Sequence, residues 1–161
     1  MFRSKIVNTG RLNDIFVGLS NVHLCMENLK TLFYRATRII AAVIMLQTLY
    51  YKFTASEESV FIFTTVGMEP WGRIGVGVLE LVASVLILIK FTAWMGALLA
   101  LGLMGGAIIM HLTILGIEVG GDGGRLFVYA LIVAVCSGIV LLFNKTTILD
   151  SIKKLSGKAS P

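Results

Sequence analysis

Charge is what this sequence has least of. Only 14 % of its 161 residues are Asp, Glu, Lys or Arg, while 57 % are apolar; a soluble domain carries about 25 % charged residues. A soluble fold of this length could not hide so much apolar surface, so the shortage points to a chain whose outward faces meet lipid. Cysteine is almost missing as well. Cys25 and Cys136 lie in different regions, which excludes a CxxC thiol pair and suggests no disulfide. Histidine is equally scarce, with only His23 and His111. Without CxxCH or a cysteine cluster, covalent haem, iron–sulfur and thiol redox chemistry are excluded, and no metal site is expected. The net charge of +5 has no basic stripe or aromatic platform behind it, which argues against nucleic-acid binding.

What the sequence does have is long apolar runs. A bilayer core of ~30 Å takes about 20 mostly apolar helical residues, and the hydropathy pattern predicts four such helices, at about 32–53, 71–89, 91–117 and 125–143. The first rests on a short uncharged run, Ile39 to Tyr51, extended backwards by Leu32, Phe33 and Tyr34, with Arg35 and Arg38 expected to snorkel to the headgroups. The predicted fold is therefore an all-α membrane protein, a four-transmembrane-helix bundle over 30–145. Residues 146–161 form a basic tail. Residues 1–29 are polar and mixed, either a loosely ordered cytoplasmic extension or, up to about residue 25, an over-called start ahead of Met26.

Lys and Arg set the orientation. Eleven of them fall in the N-terminal stretch, the second connection (Lys90) and the C-terminal tail. The first and third connections hold only Lys52, Arg73 and Arg125. That asymmetry places both termini in the cytoplasm and requires an even number of spans. The two histidines then lie on opposite sides of the membrane, so one chain cannot supply a pair of axial haem ligands.

Helices in lipid associate through close packing and internal hydrogen bonds. Gly102 and Gly106 form a GxxxG pair, and Gly96/Ala100 and Ala93/Ala97 form small-xxx-small pairs. They mark packing faces, either within the chain or, through Gly102 and Gly106, with a second copy. The Gly120-Gly121-Asp122-Gly123-Gly124 run lacks the Gly-Lys-Ser/Thr ending of a phosphate loop and reads as a tight turn back into the bilayer.

Glu80 is the residue that composition explains least. It lies near mid-membrane, where an ionisable group costs about 3 kcal/mol or more unless it faces the interior with a partner. The topology brings Lys52, Glu80 and His111 from three helices into the outer half of the bundle. Two readings of them stay open. Lys52 snorkels while Glu80 and His111 hydrogen-bond each other to fix helix register, or the three line a site for a ligand, proton or substrate. Tyr50, Tyr51 and Trp71 read first as interface-belt aromatics, with Tyr51 and Trp71 as further candidate ligand contacts.

Leu46-Gln47-Thr48-Leu49-Tyr50-Tyr51-Lys52-Phe53, Gly67-Met68-Glu69-Pro70-Trp71, Gly77-Val78-Leu79-Glu80-Leu81, His111-Leu112 and the Gly123-Gly124 turn together resemble the DoxX family of small bacterial and archaeal membrane proteins. The resemblance covers roughly residues 30 to 145. It implies a four-helix integral membrane protein of the bacterial inner membrane, with Lys52, Glu80 and His111 as matching polar positions. Some members of that family are subunits of quinone-reducing oxidoreductases or of complexes handling sulfur and oxidative stress. The leading expectation is thus a quinone-linked oxidoreductase subunit working with a soluble redox or sulfur-handling partner. In it quinone sits among Lys52, Glu80 and His111, and the last two relay protons. A non-catalytic scaffold or assembly factor is the rival, and a small-solute transporter a third reading with neither a broken helix nor an inverted repeat to support it.

Overall fold

The computed structural model describes residues 3–157. Six α-helices follow one another: α1 (Arg3–Phe53), α2 (Glu57–Thr65), α3 (Trp71–Leu88), α4 (Ala93–Met110), α5 (Arg125–Phe143) and α6 (Lys145–Gly157). A π turn over His111–Leu115 follows α4 directly. Four stretches among the described residues are long and apolar enough to cross a bilayer: Val17–Phe53, Trp71–Leu88, Ala93–Leu115 and Arg125–Phe143. The 18 residues of α3 span about 27 Å at ~1.5 Å per residue, close to the hydrocarbon thickness. The four-span, all-α architecture expected from hydropathy is the architecture observed.

The chain divides into two compact units, Met1–Arg35 and Ala36–Pro161. In the first, the stretch read as an extension is helical from Arg3 onward, part of α1. Val17, Leu19, Val22 and Leu29 are exposed along it. The basic tail likewise begins as a helix, α6; residues 158–161 lie outside the described residues, as do residues 1 and 2.

In the second unit, contacts show that successive spans run antiparallel. Arg38, early in the span part of α1, reaches the end of α3, while Arg73, at the start of α3, reaches the end of α1. The interior is built largely from alanine: Ala41, Ala83, Ala93, Ala97 and Ala100 are all fully buried. Large side chains such as Leu81, Val85, Leu98 and Val135 point outward and are exposed. That distribution inverts a soluble protein's and suits helices that gain from backbone proximity, not from removing side chains from water. The closest approach is at Gly96 of α4. A Cβ there would lie 2.3 Å from the Ile87 nitrogen and 2.8 Å from the Ala83 carbonyl oxygen of α3. Gly102 and Gly106 differ: a Cβ at either would meet nothing within 4 Å. Within this chain the GxxxG pair holds no helix.

Two arginines close helix ends that lipid could not. The last carbonyls of a helix lack intrahelical partners, and each unsatisfied one in hydrocarbon costs several kcal/mol. Arg38 is buried and donates from Nε to the Ile87 carbonyl at 2.6 Å and from Nη2 to the Leu88 carbonyl. It thus caps α3 and places a cation at the negative end of the helix dipole, and does not snorkel to a headgroup. Arg73 donates to the Lys52 carbonyl at the end of α1 and is itself gripped by Glu69 at 2.8–3.0 Å.

The connection between α1 and α3 contains α2, which hydropathy did not mark. Ser56 caps it by accepting from the Ser59 amide at 3.3 Å, and Glu57 and Glu58 sit at its positive end, where carboxylates are favoured. Its Ser59 and Phe63 are buried, so the connection closes over one end of the bundle.

Candidate functional site

At that end lies a cavity of about 440 Å³, walled by α1 to α5 and in the size range of small-molecule sites. Lys52, Glu80 and His111 all line it, together with Tyr51. Trp71 does not: the residue is 83 % exposed and is not part of the cavity wall, so the ligand contact expected of it is not formed.

Glu80 is only 3 % exposed. Its Oε2 meets Lys52 Nζ at 2.9 Å, and the Thr48 hydroxyl, which donates to the Met45 carbonyl at 2.8 Å, shares its hydrogen with Oε2 at 3.3 Å. Thr48 and Lys52 are four residues apart on α1, so one helical face presents both to the carboxylate. The pair answers the cost of a mid-membrane charge: each ion is the other's counter-ion, and Lys52 turns inward to Glu80 instead of out to the headgroups. Oε1 of Glu80 has no partner among the described residues.

His111 lines the cavity but does not make the bond to Glu80 that the register reading expected. The π turn carries it, and its Nδ1 lies 2.8 Å from the Gly116 carbonyl oxygen. A carbonyl only accepts, so Nδ1 carries the hydrogen, and in the neutral ring Nε2 is then an acceptor. The ring packs edge-on against Phe127, with centroids 5.7 Å apart. Among the described residues Nε2 has no hydrogen-bond partner. A direct Glu80–His111 bond is not formed; the two groups line one cavity and are held by different partners. Gly116, at φ 81° and ψ 172°, occupies a backbone region essentially confined to glycine. The carbonyl that orients His111 therefore depends on that glycine, and π turns recur at functional sites for this kind of re-aiming.

Asp122 also lines the cavity, at its rim in the glycine turn. Oδ1 accepts from the Val119 and Gly124 amides at 3.0 and 2.8 Å, and Oδ2 from the Leu126 amide at 3.0 Å. Burial pushes this carboxyl up, but the three amides and the Arg125 charge outweigh it and hold the group below its ordinary value. A depressed value means stability present above the unfolded carboxylate range, ~3.9, and lost as pH falls through the folded value. Asp122→Asn keeps the size but loses an acceptor, at a cost of about 1–2 kcal/mol. Amide exchange at Val119, Gly124 and Leu126 should accelerate in the variant near neutral pH, and wild type should approach it on acidification. Unchanged exchange in Asp122→Asn would remove Asp122 as the support of the turn.

Sequence reasoning missed several contributors. Thr48, Ser59 and Tyr129 line the cavity, and Gly116 steers His111. A small polar residue one turn before Lys52 was a usable signal for Thr48; the role of Gly116 had none. Among the described residues, no group of three or more His, Cys, Asp or Glu is arranged to hold a metal ion.

No curated protein and no solved structure matches the chain. The family model DoxX matches residues 34–113, a stretch that contains Lys52, Glu80 and His111. With four membrane-spanning helices and those polar positions in one cavity, the chain belongs to the DoxX family of membrane proteins.

Proposed function

We propose that the protein is the membrane subunit of a quinone-linked oxidoreductase or oxidative-stress complex, and that its cavity receives a quinone ring. On the Lys and Arg asymmetry the cavity opens at the outer side of a bacterial inner membrane, with both termini in the cytoplasm. The observation that carries the reading is Nε2 of His111, a polar atom on a residue 5 % exposed, lining the cavity without a partner. The Lys52–Glu80 pair lines the same cavity. A quinol offers hydroxyl donors, and a quinone carbonyl acceptors, at the two ends of a flat apolar body, so Nε2 accepts from the reduced ring when neutral and donates to the oxidised ring when protonated.

Quinone reduction takes one electron and one proton for each carbonyl oxygen. The electrons come from a soluble redox or sulfur-handling partner. This chain's part is to bind the ring and manage protons. Lys52 Nζ donates a hydrogen bond to one carbonyl, whose oxygen takes its proton from water at the open end of the cavity; His111, once protonated at Nε2, donates to the other and passes its proton on. Glu80 is the counter-ion that holds Lys52 in place. Protein in lipid nanodiscs should bind a benzoquinone, with Glu80→Gln and His111→Asn each weakening it by about tenfold, the worth of one charge-assisted hydrogen bond. Wild-type affinity in both variants would defeat the assignment. It would favour the scaffold reading, in which recruitment of a soluble partner is lost with the tail from Lys145 onward.

A further inference from the structure

Gly102 and Gly106 line the cavity, yet a Cβ at either would meet nothing within 4 Å. Gly102 is exposed. It lies near the middle of the Ala93–Leu115 span, so what surrounds it is hydrocarbon. The cavity wall is therefore thin at mid-bilayer. Nine residues further on, about 14 Å along the helix at ~1.5 Å each, His111 presents its unpartnered Nε2 at the polar end of the same cavity. Ile44 and Met104 line it as well, and neither offers a hydrogen-bond donor. The cavity is thus polar at one end and apolar where it meets lipid.

From that gradient we infer that the cavity is entered sideways from the bilayer, over the Gly102–Gly106 face, and that the tail of a prenylated quinone lies across it while the ring reaches His111. The inference rests on the quinone reading and adds the route and the chain-bearing class of ligand. A tail crossing at a glycine pair gains direct contact with the α4 backbone, and the missing side chains are what leave it room. Thioether side chains such as Met104 adapt to a chain of irregular shape.

The test uses full-length protein in nanodiscs and two benzoquinones, one with a single prenyl unit and one with a long polyprenyl tail. Gly102→Leu fills the crossing without touching the polar end. Leucine favours helix over glycine, and no neighbouring atom lies within 4 Å of its Cβ. Gly105→Leu is the matched control: it lies on the same helix with nothing within 4 Å of an added Cβ, but is not a lining residue. Gly102→Leu should weaken the long-tailed quinone by about tenfold or more and leave the single-prenyl one unchanged, while Gly105→Leu alters neither. Equal losses for both quinones, no loss for either, or the same loss in Gly105→Leu would overturn the lateral entrance and leave the quinone reading standing. Failure of wild type to bind either quinone would remove that reading and the entrance with it. A wild-type dimer that Gly102→Leu dissociates would assign the face to a second copy and overturn the entrance as well.

Discussion

Glu80→Gln is expected to lower the unfolding free energy of the bundle by about 3 kcal/mol, and adding Lys52→Met to it is expected to restore most of that loss. The asymmetry follows from how a buried ion pair is held. Removing one charge leaves the other where solvent cannot compensate it, whereas removing both returns two ordinary apolar or amide side chains to a lipid-walled interior. Lys52 and Glu80 have side chains only 15 % and 4 % exposed and a 2.9 Å contact, so neither charge has a ready alternative. The measurement is a double-mutant cycle by denaturant or thermal unfolding in one mild detergent. A coupling of ~1 kcal/mol or more between the two positions supports the pair. Additive losses would mean that the charges act separately and that the contact contributes nothing to the fold. The double variant is also the sounder material for ligand binding, since its polar end is altered without an orphaned charge.

The pairing was half legible. Which residues converge is a matter of register: Lys52 at the end of one span and Glu80 midway down the next antiparallel one must come level, and hydropathy fixes that register. How each side chain is satisfied depends on detail below helix placement. Thr48 joins Glu80 because it is one turn from Lys52. His111 turns away from Glu80 because a π turn and the unusual backbone of Gly116 bring a carbonyl within reach of Nδ1. Neither the extra turn residue nor the Gly116 torsions leave a mark on hydropathy.

Arg38 and α2 illustrate the same boundary. An arginine at the edge of an apolar run has the same local sequence whether it reaches the headgroups or caps a neighbouring helix, and only the proximity of the α3 terminus decides it. The α2 segment is too short to register as a span, although Ser56 followed by two glutamates was a usable sign of a helix start. Hydropathy answers which segments prefer lipid. It does not answer which polar groups inside those segments find one another.

The glycines of α4 give the sharpest case, and the second large effect. Gly96→Ala is expected to cost about 3 kcal/mol, the upper end for overpacking, and Gly96→Leu to abolish the folded bundle. A Cβ at Gly96 would fall 2.3 Å from the Ile87 nitrogen, with the Ala83 oxygen and the Leu86 carbonyl carbon at 2.8 Å. All three are backbone atoms of α3 and cannot rotate aside as a side chain would. The helices would have to separate, exactly where the short α3–α4 connection and the Thr92 hydroxyl bond to the Leu86 carbonyl at 3.0 Å hold them together. Gly102→Ala, with nothing within 4 Å, should instead be neutral or stabilising by up to ~1 kcal/mol through helix propensity. Both small-residue pairs look alike in sequence; backbone contact separates them. Thermal unfolding of the two alanine variants side by side checks it. Equal effects would mean that the α3–α4 contact relaxes freely and that Gly96 is no more constrained than its neighbours.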